Sequence, residues 1–152
     1  MTERVEISNA EWEVMRIVWT LGHATSKQIS QVMAVKQDWK MATTKTLLGR
    51  LVNKGFLRTK KHGRAFIYYP VKGEQSTINH LLEEDISTIC QMHIGQSLAD
   101  VLQKFTFTKK DIQTMIEILN QKEKTAPDTL NCDCIPEELK SQMPNGGEME
   151  CH

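Results

Sequence analysis

Four cysteines and one terminal histidine raise the first chemical question. Cys132 and Cys134 are separated by a single residue, and Cys151 stands beside His152 after a gap of 16 residues. Two thiolates one residue apart can turn to the same soft cation, and a Cys-His pair on a flexible connection can close the set. Three sulfurs and one nitrogen suit tetrahedral Zn(II), while Cu(I) can use the sulfurs and leave His152. Hard cations such as Mg and Ca are disfavoured by such a donor set. The alternative is a group of thiols in a loose tail. Cys90 lies in an apolar periodic stretch and reads as a small core residue in preference to a metal ligand, as does His93.

A second constellation is basic. Between Lys40 and Arg64 the chain carries eight Lys or Arg residues and no Asp or Glu. Residues 1–73 hold 13 basic and 5 acidic side chains, net +8, and residues 74–152 hold 6 and 14, net −8, so the overall neutrality hides a strong asymmetry. A solvated surface usually mixes both signs, whereas a single-sign segment fits a polyanion. Arg50 can offer a forked donor pair to a guanine edge, and Thr43 and Thr46 can give hydroxyl bonds or methyl contact to thymine. Lys45, Lys54, Lys60, Lys61 and Arg64 are placed for phosphate contacts, which set register and affinity without choosing sequence.

These residues need elements to position them. Ser8-Asn9-Ala10-Glu11 has the form of a capping box, followed by Trp12, Met15, Ile17, Val18 and Trp19 on one stripe and by Gly22 as a stop. Thr25-Ser26-Lys27-Gln28 repeats the pattern before Ile29, Val32 and Met33. A third helix is predicted from about Met41 to Asn53, with Leu47, Leu48, Leu51 and Val52 on one side and Gly55 as its end. Its opposite side is made of Thr46, Gly49, Arg50 and Asn53, flanked by Thr43 and Lys45, while Thr44 falls towards the core. Strands at 56–61 and 65–70 with His62-Gly63 between them read as a hairpin. Three helices and a hairpin, the third helix polar and basic on its free face, make a winged helix-turn-helix.

Beyond Lys72 the pattern becomes acidic outside and apolar inside. One long helical stretch is predicted over 75–105, and a second helix starts at Thr108-Lys109-Lys110-Asp111 with Ile112, Met115, Ile116 and Leu119 as its stripe. Two such helices cannot bury both stripes on each other, which points to dimerisation. From Thr125, Pro127, Pro136, Pro144 and Gly146-Gly147 interrupt the pattern, giving a tail with little intrinsic structure. The expected organisation is therefore mainly α with a small β-hairpin: a winged-helix DNA-binding domain at 1–73, a helical dimerisation region at 74–124 and a flexible metal-binding tail at 125–152. No apolar window reaches the roughly 20 residues of a membrane span, and no apolar leader opens the chain, so a cytoplasmic protein with reduced cysteines and no membrane partner is expected. No Cys or Ser stands at an interpretable spacing from a base and an orienting carboxylate, and no glycine loop cradles phosphate, so the chain does not read as an enzyme.

The segment Ala10-Glu11-Trp12-Glu13-Val14-Met15-Arg16, the pair Asp38-Trp39, the run Lys45-Thr46-Leu47-Leu48-Gly49-Arg50-Leu51 and Lys54-Gly55 resemble the BlaI/MecI penicillinase-repressor family. The cysteine-bearing tail is similar to that of its CopY copper-responsive branch. The resemblance implies a homodimeric repressor on a double-stranded palindromic operator of the TACA...TGTA type, controlling copper-transport genes, with a copper-delivering protein as a further partner. It also implies DNA-facing roles for Thr43, Lys45, Thr46 and Arg50, and release of the operator when Cu(I) replaces Zn(II) at the tail. The chain departs from that branch in one respect: the branch carries two Cys-x-Cys pairs a few residues apart, and here Cys151-His152 replaces the second. A penicillinase-type repressor released by proteolysis and a metal-buffering protein are the competing expectations.

Overall fold

The computed structural model describes residues 6–144. It forms two compact units, divided between Glu84 and Asp85. This division falls inside a helix and lies beyond the charge boundary at Lys72.

In the first unit α1 (Asn9–Leu21) is capped by Ser8, whose Oγ accepts from the Glu11 amide, and ends at Gly22 with φ of 81°, a conformation that favours glycine. A two-residue strand β1 (Ala24–Thr25) leads into α2 (Ser26–Gln37), which carries a complete capping box between Thr25 and Gln28. After Asp38 in the left-handed region come α3 (Met41–Asn53) and the antiparallel pair β2 (Leu57–His62) and β3 (Ala65–Pro70). The sheet order is β1-β3-β2, with His62 opposite Ala65 and Gly63-Arg64 as the two-residue turn. Gly63 has φ of 62°, as a tight hairpin with glycine in the first turn position requires. The three helices and this hairpin are the winged helix expected from the sequence, with β1 as an added third strand pairing Ala24 to Tyr68.

The core is built where those elements meet. Val14, Met15 and Val18 of α1, Ile29 and Met33 of α2, Leu48 and Leu51 of α3 and Leu57 at the root of β2 are essentially sealed from solvent. Each such side chain stabilises by about 1.5–3 kcal/mol relative to exposure. Val32, expected inside, is exposed, and Ser30 takes a buried position on α2 instead. Thr44 is fully buried, and its Oγ1 has no hydrogen-bond partner among the described residues.

The long helical stretch predicted over 75–105 is two helices. α4 (Glu74–Ser87) ends where the Thr88 hydroxyl donates to the Asp85 carbonyl at 2.7 Å, and α5 (Gln91–Leu102) starts after Cys90, whose ψ of 130° lies outside the helical region. Two β-branched residues in succession, one of them bonding back to the preceding turn, favour the break. In the second unit α6 (Lys109–Glu123) opens on a complete capping box between Thr108 and Asp111, and α7 (Glu137–Lys140) adds a single turn to the tail. None of its described residues is buried. Among the described residues no helix is long and apolar enough to cross a membrane.

Candidate nucleic-acid interface and thiol cluster

The amphipathic pattern of α3 determines what it presents. With Thr44, Leu47, Leu48 and Leu51 turned inward, Thr43, Lys45, Thr46, Gly49, Arg50 and Asn53 are all exposed. The Thr46 hydroxyl donates to the Ala42 carbonyl at 3.0 Å, leaving its methyl and oxygen lone pairs for a ligand. Lys60, Lys61 and Arg64 are exposed on the hairpin. Among the described residues no carboxylate pairs with Lys45, Arg50, Lys60, Lys61 or Arg64. The helix face and the hairpin therefore share an unneutralised positive surface.

Alternation along β2 divides the hairpin cations. Lys60 shares a face with Arg58, and Lys61 shares the other with Leu57 and Thr59. Arg58 lies 4.6 Å over the ring of its cross-strand partner Tyr69, which stacks on His23 at 5.3 Å. At the hairpin root the Trp19 indole N–H donates to the Lys72 carbonyl at 3.0 Å, and the Lys72 ammonium lies 5.4 Å from the Phe56 ring. These contacts fix where the wing leaves the core.

Lys54, expected at phosphate, has another engagement. Its ammonium lies 2.8 Å and 3.1 Å from the two carboxylate oxygens of Glu11 and donates to the Glu6 carbonyl at 2.8 Å. The Glu11 side chain is 3% exposed while that of Lys54 is 37% exposed, so the pair spans the boundary of the core. The Ser8 side of the expected capping box forms, but Glu11 turns its carboxylate to Lys54. A second tie joins Glu13 to Lys36 of α2 at 2.7 Å and to Arg16 at 3.0 Å. The hydrogen bond from Lys36 holds the Glu13 carboxyl below its ordinary value, against a smaller opposing effect of burial.

The thiols come together in a way their spacing does not announce. Cys90, Cys132 and Cys134 place their sulfurs within 4.8 Å of one another. Cys90 and Cys132 are half-buried, with sulfurs 3.7 Å apart, and Cys134 is exposed. Cys90 is thus a member of a thiol cluster and not a plain core residue, and His93 is exposed. The tail segment that carries the cluster is held: the Gln91 amide donates to Asp133 Oδ1 at 3.1 Å, Gln91 Nε2 donates to the Asn131 carbonyl at 2.6 Å, and Lys140 Nζ donates to the Cys132 carbonyl at 3.3 Å. Three mutually close sulfurs fit a soft cation. Cys151 and His152 lie outside the described residues.

Comparison with known proteins bears on the residues that precede the tail. Residues 7–121 match the penicillinase repressor family, and the cysteines of the tail lie beyond the matched range. The chain is 41% identical over 131 residues to an uncharacterized 16.5 kDa protein in the ptsI 3′ region of Latilactobacillus sakei, covering 86% of this chain and 90% of that one. It is 32% identical over 118 residues to the methicillin resistance regulatory protein MecI of Mammaliicoccus sciuri, covering 77% and 95%. Among solved structures, a CopR repressor matches with 48% identity and a TM-score of 0.39, over 44% of this chain and 97% of that one. The family match, the winged-helix architecture and the exposed basic face converge: the chain belongs to the penicillinase repressor family and is a DNA-binding transcriptional repressor of the BlaI/MecI type.

Proposed function

We propose that the protein is a homodimeric repressor of copper-homeostasis genes that holds a palindromic operator and leaves it when Cu(I) replaces Zn(II) at its tail thiols. The observation that carries the metal reading is the closeness of the two tail sulfurs, Cys132 and Cys134, in a donor set that selects soft cations. DNA binding uses α3 in the major groove: Arg50 takes a guanine edge, Thr43 and Thr46 meet thymine or neighbouring polar edges, and Lys45 meets phosphate. Lys60, Lys61 and Arg64 bring the wing to the backbone. Lys54 acts from behind, by holding Glu11.

The dimer is supported by the second unit, which has no buried residue among those described yet exposes Leu98, Val101, Leu102 and Phe105 around α5 and Ile116 and Leu119 on α6. Such surface on helices of this length is the ordinary material of a two-fold interface. Zinc favours four tetrahedral ligands and Cu(I) accepts fewer, so exchange alters the geometry of the tail. Supply of Cu(I) by a copper-delivering protein completes the scheme. A coupling of about 1–3 kcal/mol between metal and operator changes occupancy about 5- to 150-fold.

The test is a gel-shift series on a palindromic duplex with Zn(II), Cu(I) or chelator added. Retention with zinc and release with Cu(I) are expected, and a Cys132→Ser/Cys134→Ser variant should bind operator but ignore copper. Equal operator affinity under all three conditions would replace this reading with a penicillinase-type repressor released by proteolysis. That alternative is favoured by the family match, which ends before the tail cysteines.

A further inference from the structure

We infer that Cys90 is a ligand of the same metal centre as Cys132 and Cys134, so that a bound metal fastens the tail to the N-cap of α5. The inference rests on the metal-responsive reading above and adds to it a residue from outside the tail. Two sulfurs on one tetrahedral zinc, each with a bond of about 2.3 Å, stand about 3.8 Å apart. Cys90 and Cys132 are 3.7 Å apart, and Cys134 lies within 4.8 Å of both. The cluster therefore needs little rearrangement to close on a cation.

The backbone around the cluster is already organised for this. Cys90 occupies the N-cap position of α5 without a side-chain cap bond, and the Asp133 carboxylate, between the two tail cysteines, accepts from the first amide of the helix instead. Asn131 and Cys132 are held through their carbonyls by Gln91 and Lys140. Each thiol gives up its proton to solvent on binding. Three thiolates on Zn(II) then leave one net negative charge beside the positive end of α5, an arrangement the helix dipole favours. Cys90 lies in the three-residue joint between α4 and α5, ahead of the helices that carry the proposed dimer surface. Metal occupancy thereby acts on the framework of the dimer, and not only on the tail.

Pulsed alkylation of the full-length protein, read peptide by peptide by mass spectrometry, tests the assignment. The chelator-treated protein is compared with protein carrying one equivalent of Zn(II), and zinc should slow modification of Cys90 at least tenfold, together with that of Cys132 and Cys134. Protection of Cys132 and Cys134 with Cys90 reacting at its metal-free rate would overturn the inference and leave the metal-responsive reading standing. Protection of none of the thiols, with operator binding indifferent to zinc and Cu(I), would overturn both. In competition with a chelating dye, Cys90→Ser should lose more zinc affinity than the roughly 10- to 100-fold that loss of an outer-shell partner costs. Its metal-free operator binding should equal the parent's. Zinc affinity equal to the parent's in that variant would also overturn the assignment, and the alkylation of the unsubstituted protein decides the matter should the variant not fold.

Discussion

Lys54 shows how one residue can belong to two arguments. Its position in the basic run suggests phosphate, but its ammonium is bound to the nearly buried Glu11 and to the Glu6 carbonyl. Removing it strands a carboxylate with little access to water, and Lys54→Ala should destabilise the first unit by about 1–3 kcal/mol, less than a fully buried pair because Lys54 itself is partly solvated. Chemical denaturation measures this, and unchanged stability would show the pair to be dispensable. Thr44 offers the opposite case. Its fully buried hydroxyl lacks a partner among the described residues, so Thr44→Val, close in shape, should leave stability unchanged or raise it by up to about 1 kcal/mol. A loss above 1 kcal/mol would mean that the hydroxyl is satisfied in solution. The pairing of Glu11 with Lys54 was not legible in the sequence because the two are 43 residues apart, whereas the local cap at Ser8 was. The closeness of Cys90 to Cys132 was hidden for the same reason: 42 residues separate them, no motif spacing links them, and a cysteine among apolar residues reads as core before it reads as a ligand.

Elements were legible where their signals are local. The capping boxes at Thr25 and Thr108 and the glycine stops at Gly22 and Gly55 stand where the sequence puts them. A two-residue strand such as β1 has no periodicity to read, and the break between α4 and α5 was hidden because apolar positions continue across it in helical register. The recognition role proposed for α3 gives a sharp contrast. Arg50→Ala should cost about 1–3 kcal/mol and relax base preference, while Lys61→Ala should weaken every sequence alike and flatten the salt dependence by about one unit of slope. Binding of operator and unrelated duplexes across a salt series separates the two, and an Arg50→Ala variant with full affinity and preference would refute the role of α3. The tie between α1 and α2 is testable by pH. Because Lys36 depresses the Glu13 carboxyl in the folded protein, its small contribution is present above the ordinary carboxylate value and fades as pH falls through the lowered one. Carboxyl titration by NMR should show the depression, and Lys36→Met should remove most of it; a Glu13 titration unmoved by that change would assign the shift to Arg16 instead.

At the scale of the whole chain, charge and apolar surface are divided between two units with different needs. The first closes a core of its own around Met15, Leu48 and Leu51 and carries an exposed basic face on α3 and the hairpin. The second encloses no buried residue among those described and keeps Phe105 64% and Leu119 59% exposed, so it gains most by burying these against a second copy. A stable interface of this kind removes on the order of 1,200–2,000 Å² from water. The proposed dimer would also link two recognition helices, so that the second half-site is met at an effective concentration that raises avidity about 10²- to 10⁴-fold. The full chain should therefore sediment as a dimer at micromolar concentration. A fragment ending at Glu84, where the first unit ends, should sediment as a monomer and bind the same palindrome weaker by that factor, while retaining its preference for the half-site sequence. A monomeric full chain, or a fragment that matches its operator affinity, would remove the second unit from operator binding and with it the two-fold reading of the site.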